Sequence, residues 1–163
     1  VTVPDILLDG TVRAAYVPSI ANQAAPTVAE LNAGILLTQY LILAGLVGFE
    51  AATQPADTSP LAGKSNTNLP GRDQYSGTQL MLKKQSGTDT AYATLTRDTA
   101  GFIVVRRWLV LETVAWATSQ QVAVYPGACG TEITVANSSG SEAAKYAIPW
   151  FISGAVNIRA IVA

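Results

Sequence analysis

The apolar residues of this chain fall in short runs, each closed by proline, glycine or a polar turn, and that spacing leaves little room for long helices. Gly101 to Val110 is the strongest run, a β-branched segment centred on Ile103, Val104 and Val105. Val12–Val17, Gln74–Lys84, Gln121–Tyr125, Thr131–Val135, Tyr146–Ile152 and Asn157–Val162 read as further strands. Pro126-Gly127 should stop one of these, and Pro149 should push another to a sheet edge. Leu36 to Leu41 alternates in the manner of a strand, and Ala44-Gly45 offers a turn into Leu46–Glu50, so a hairpin is expected there. Leucine and alanine also allow a helix in that run. Many short strands with one or two short helices indicate a mainly β fold, an all-β sandwich or barrel with helical decoration.

The clearest helix signal is Thr27-x-x-Glu30, the spacing of a capping box in which a hydroxyl and a carboxylate satisfy each other's orphan backbone donors. Pro26 precedes it and Gly34 follows, so a helix of about two turns is punctuated at both ends. Asp89–Leu95 reads as a second short helix or turn. Before the first helix, Pro18–Ala25 should be extended and irregular. From Ala51 to Asp73, Pro55, Pro60, Pro70, Gly63 and Gly71 stand among serine, threonine and asparagine, which predicts an irregular loop longer than compact domains usually contain.

Composition narrows the function classes. A length of 163 residues suits one domain, and 49% hydrophobic with 13% charged residues is apolar enough to expect surface hidden against copies of the chain or another partner. A net charge of −1 argues against a protein that grips nucleic acid through a basic field. Cys129 is the single cysteine and histidine is absent, which excludes an internal disulfide and the usual zinc constellations. The N-terminus carries no visible secretory signal. Ile35–Phe49, the most apolar stretch, is interrupted by Thr38 and Gln39 and is too short to span a bilayer, so no membrane is expected.

Chemical motifs are weak throughout. Gly63-Lys64-Ser65 imitates the end of a phosphate loop, but position 58, where the first glycine belongs, is Thr58. Asn137-Ser138-Ser139 fits a glycosylation acceptor but reads better as a solvated turn. The carboxylates are scattered singly, with no acid–base pair, so no enzyme and no cofactor are expected. Lys83-Lys84 and Arg106-Arg107 are basic doublets whose members point to opposite faces if they lie on strands.

The run VPSIANQAAPTVAELNAG from Val17 to Gly34, with GFIVVRR from Gly101 to Arg107, resembles the tail tube (major tail) proteins of long-tailed, non-contractile phages of actinobacteria. A Leu69-Pro70-Gly71-Arg72 step, a Val-Tyr-Pro step before Cys129-Gly130 and an Ala/Val-rich C-terminus extend the resemblance over most of the chain. LILAGLVG departs from it, since relatives commonly have a polar first hairpin there. The resemblance implies one tail tube domain over 1–163 with an N-terminal arm (1–25) and a long inter-ring loop (51–73). It also implies hexameric rings stacked around a channel through which DNA passes without specific binding. Within the loop it points to Asp57, Lys64, Asn66, Arg72 and Asp73 as inter-ring contacts, beside the helix cap Thr27 and Glu30. Partners would be further copies of the chain and other phage tail proteins at the tube ends, in the virion, after assembly in the host cytoplasm. The alternatives are a tail-terminator ring, or a monomeric β-sandwich binding module or virion decoration using Trp108, Trp116 and Trp150 as its platform.

Overall fold

The computed structural model describes residues 5–108, 110–135 and 141–163. The motif at Asn137 therefore lies outside the described residues. The strands are β1 (Arg13–Val17), β2 (Ile35–Leu36), β3 (Leu41–Val47), β4 (Ala52–Asp57), β5 (Asn68–Gln74), β6 (Gln79–Lys83), β7 (Ala100–Arg106), β8 (Gln121–Cys129), β9 (Ile133–Val135), β10 (Lys145–Ile152) and β11 (Asn157–Ile161). Two short helices, α1 (Val28–Asn32) and α2 (Thr90–Thr94), interrupt them. The protein is mainly β, a curled antiparallel sheet in the shape of a half-barrel.

Along the sheet the order is β2-β1-β7-β8-β10-β6-β3, with β11 on β8 and β9 on β10. Curling gives the sheet two apolar faces. The inner one gathers Tyr16, Leu37, Phe49, Leu80, Leu82, Ile103, Tyr125, Tyr146, Ile148 and Trp150. The outer one, over β1, β7, β8 and β11, is covered by Leu31 of α1 and by Trp116 against Val17, Val104, Val122 and Val124. Each fully buried aliphatic side chain contributes about 1.5–3 kcal/mol, so these two layers are the main source of stability.

Two prolines expected to end or marginalise strands do neither. β8 runs through Pro126, which faces Phe102 of β7, and continues to Cys129. The Pro126 carbonyl accepts from Ser153 N–H (3.1 Å) on the far side of β8. In an antiparallel strand a residue's N–H and C=O point the same way. The missing N–H therefore falls in the gap where β8 changes partner from β11, ending at Val124, to β10, starting at Gly127. Pro149 repeats the device inside β10, which lies between β6 on one side and β8 and β9 in succession on the other rather than at an edge. Its carbonyl accepts from Gly130 N–H (2.8 Å), and its absent donor faces the break between Cys129 and Ile133.

The hairpin expected around Ala44-Gly45 is also corrected. The turn comes earlier, where Tyr40 and Leu41 N–H groups bond to the Leu37 carbonyl (2.9 and 3.0 Å). Thr38 holds that turn by accepting from Ala14 N–H (2.9 Å) in place of a longer β2. Ala44 and Gly45 lie within β3, in a bulge between Leu41 and Leu46; a Cβ at Gly45 would meet the Met81 carbonyl at 2.7 Å. β6 begins later than expected, at Gln79, because Gly77 turns the chain with φ +65°. β7 stops at Arg106, before Trp108 takes φ +50°.

The largest difference concerns 51–73. It is not irregular: β4 and β5 form a separate two-stranded hairpin in which Pro55 lies opposite Pro70 and Asp57 opposite Asn68. Both strands of such a ribbon are edges, where proline is tolerated. A register shift between Thr53 and Pro55 is accommodated by Gly71, where a Cβ would meet the Gln54 carbonyl at 2.6 Å.

Candidate assembly surfaces

Every residue of β4 and β5 is exposed, on both faces of the ribbon. The hairpin therefore has no core, and isolated two-stranded ribbons are marginal in water. Its own bonds are polar: Thr53 donates to Asp73 Oδ1 (2.6 Å), and Thr58 N–H to the Thr67 carbonyl (2.8 Å). Asp57 closes the turn into the tip by accepting from Ser59 N–H (2.8 Å), and the Ser59 hydroxyl and N–H hold its carboxyl below the usual range. Leu61, at the apex, is fully exposed.

The five residues singled out in this segment are all exposed but do not cluster. Asp57, Lys64 and Asn66 lie at or near the tip; Arg72 and Asp73 lie at the base, on β5. Strand geometry places tip and base about 20 Å apart. Gly63-Lys64-Ser65 sits in the tip with β5 after it rather than a helix, so it builds no phosphate loop.

Thr27 and Glu30 hold the start of α1. Glu30 N–H donates to Thr27 Oγ1 (3.3 Å), and Thr27 N–H to Glu30 Oε2 (2.8 Å). The second carboxylate oxygen accepts from Ala21 N–H (2.8 Å), tying the irregular 18–25 segment to the helix. These donors hold the Glu30 carboxyl below its ordinary range, the Ala21 bond foremost.

A second surface is the four-stranded part of the sheet, β3-β6-β10-β9. Its inner side chains, Leu80, Leu82, Tyr146 and Ile148, belong to the core. Its outer face carries half-buried Gln79, Met81 and Lys83 beside Pro149 and Lys145, with the small Ala147 buried between them, and among the described residues neither helix packs over it. Among the described residues β3 and β9 pair on one side only, which leaves both edges open. Leu43, in the β3 bulge, is fully exposed at one of them.

The basic doublets straddle strand ends, Lys83 and Arg106 being the last residues of β6 and β7 and Lys84 and Arg107 the first beyond them. Lys83 lies on the uncovered face, whereas Lys84 packs 3.0 Å from the Tyr92 ring centroid and 3.7 Å from the Asp89 carboxylate. Arg106 is wholly buried and donates to the carbonyls of Leu111, Val114 and Ala115 and to Gln120 Oε1, at 2.9–3.1 Å. Arg13 and Arg106 both stand over the Trp116 ring, at 5.1 and 5.3 Å. The arginines thus fasten the segment after β7 instead of meeting phosphate. The three tryptophans share no platform: Trp150 is in the inner core, Trp116 in the outer one, and Trp108 is exposed. Cys129 is buried, which pushes its thiol up to about 11.

Among the described residues no group of three or more metal-ligating side chains comes together, and no helix is long and apolar enough to cross a membrane. The sequence signals had missed Leu43, Leu61 and the uncovered sheet face, because exposure of a leucine is decided by register and bulges rather than by the residue itself. No curated protein matches the chain. A family model described as phage tail tube protein matches residues 1–163, a family of structural components of the virion tail and not of enzymes. With its mainly β half-barrel and exposed hairpin, the chain belongs to the phage tail tube protein family.

Proposed function

We propose that this chain is the repeating subunit of a tail tube, built as hexameric rings stacked around a channel through which DNA passes. The observation that carries the reading is the β3-β6-β10-β9 sheet, which among the described residues has an open edge at each end. Its strands alternate in direction and are even in number, so β9 of one copy and β3 of the next run antiparallel when copies are related by rotation about a common axis. Ring closure then satisfies both edges, which would otherwise invite uncontrolled pairing. The uncovered face of the same sheet becomes the channel wall. Near neutrality of the chain suits a wall along which DNA slides without being gripped.

The segment 51–73 is the contact between rings, with Asp57, Lys64, Asn66, Arg72 and Asp73 among its polar side chains; of the N-terminal arm (1–25), Arg13–Val17 is β1 inside the sheet, so the part that supports the stack is the one before β1. Stacking is head to tail and has no intrinsic closure, so other tail proteins at the ends set the length. Assembly takes place in the host cytoplasm, and the resemblance of Val17–Gly34 and Gly101–Arg107 supports a tail of non-contractile phages of actinobacteria. Sedimentation across a concentration series tests the reading. Mass should rise with concentration far above the 17.0 kDa of one chain; a constant 17.0 kDa particle would favour a monomeric module instead.

A further inference from the structure

The hairpin tip needs a receptacle, and one groove on this chain has matching chemistry. A turn closed by Gly63 N–H on the Pro60 carbonyl (2.9 Å) presents Leu61 as a fully exposed apolar wedge. Lys64 is the only charged residue between Thr58 and Thr67. At the opposite end of the hairpin an open groove of about 760 Å³ is walled by Tyr75, Trp150, Phe151, Ile152 and Val156, with Asp73 as its only charged residue among the described residues. Phe151 is exposed there, and only one Asp73 oxygen, Oδ1, is taken by Thr53. The second groove, about 370 Å³, is lined by Arg107 and Arg159 and would repel Lys64.

We propose that the tip of one copy inserts Leu61 into the groove at the hairpin base of another copy, with Lys64 reaching Asp73. Charge complementarity selects this groove over the arginine-lined one. A tip cannot reach the base of its own hairpin, because the strands between them are about 20 Å long, so the occupant is a second copy. Each chain carries one tip and one groove, and the contact is therefore heterologous and propagates. It rests on the tube reading and gives the ring-to-ring contact its anchor.

Disulfide trapping tests it. Ala62→Cys beside the wedge and Ala155→Cys in the groove replace small exposed residues that leave Leu61 in place. Buried Cys129, its thiol held protonated, stays out of the exchange. Oxidation of assembled double variant should give a ladder of multiples of the chain on a non-reducing gel, lost when Leu61→Asp is added. Tubes that form without a ladder, or a ladder appearing instead with Ala62→Cys and Ile158→Cys at the arginine-lined groove, would overturn the docking while leaving the tube intact. Wild-type protein that stays at 17.0 kDa under every condition would overturn both.

Discussion

Arg106 shows how one residue can fix a segment with no regular structure of its own. Its guanidinium takes the carbonyls of Leu111, Val114 and Ala115 out of solvent while standing near Trp116. Hydrogen bonds to charged groups are worth about 1.5–3 kcal/mol each, and orphaned buried acceptors add their own penalty. Arg106→Met, similar in length, is expected to cost at least about 3 kcal/mol in denaturant unfolding; a loss under about 1 kcal/mol would mean that the segment is held by other contacts. The sequence marked Arg106-Arg107 as a doublet with opposed side chains, but not which member is buried, since every acceptor comes from a stretch that lacks periodicity. The helix start was legible because both cap partners lie three residues apart. Thr27→Ala should destabilise the protein by about 0.5–2 kcal/mol, and an unchanged denaturation midpoint would show that the Ala21–Glu30 bond alone suffices.

At the scale of elements, the β-branched and alternating runs were readable because their register is dictated by burial on one face or two. Misreadings gathered at prolines. Pro126 and Pro149 lie inside β8 and β10 because each missing donor faces a gap in the neighbouring ladder, which depends on partners distant in sequence. Pro55 and Pro70 lie in a ribbon that has no ladder beyond itself. That ribbon buries nothing, so its order in an unassembled chain is set by a few exposed bonds and frays readily. Trypsin should cut at Lys64 and Arg72 quickly in dilute protein and much more slowly once copies assemble. Equal rates in the two states would mean that the hairpin stays solvated and that stacking depends on another surface.

Over the whole molecule, the sequence conveyed a low charge content and a mainly β fold, and these imply self-association without saying where. The location became visible only in the curled sheet, where α1 and Trp116 cover the outer side over β1, β7, β8 and β11 but not over β3-β6-β10-β9, whose two edges are unpaired among the described residues. The polar loop residues followed a similar course: their exposure could be read in advance, whereas their division between tip and base could not. Closing the open edges by rotation is the central claim, and electron microscopy of the assembled protein addresses it directly. Stacked rings with sixfold symmetry and a central hole, continuing into filaments, are expected; discrete globular particles at every concentration and salt tried, or isolated rings that never stack, would contradict edge closure into a stacked tube.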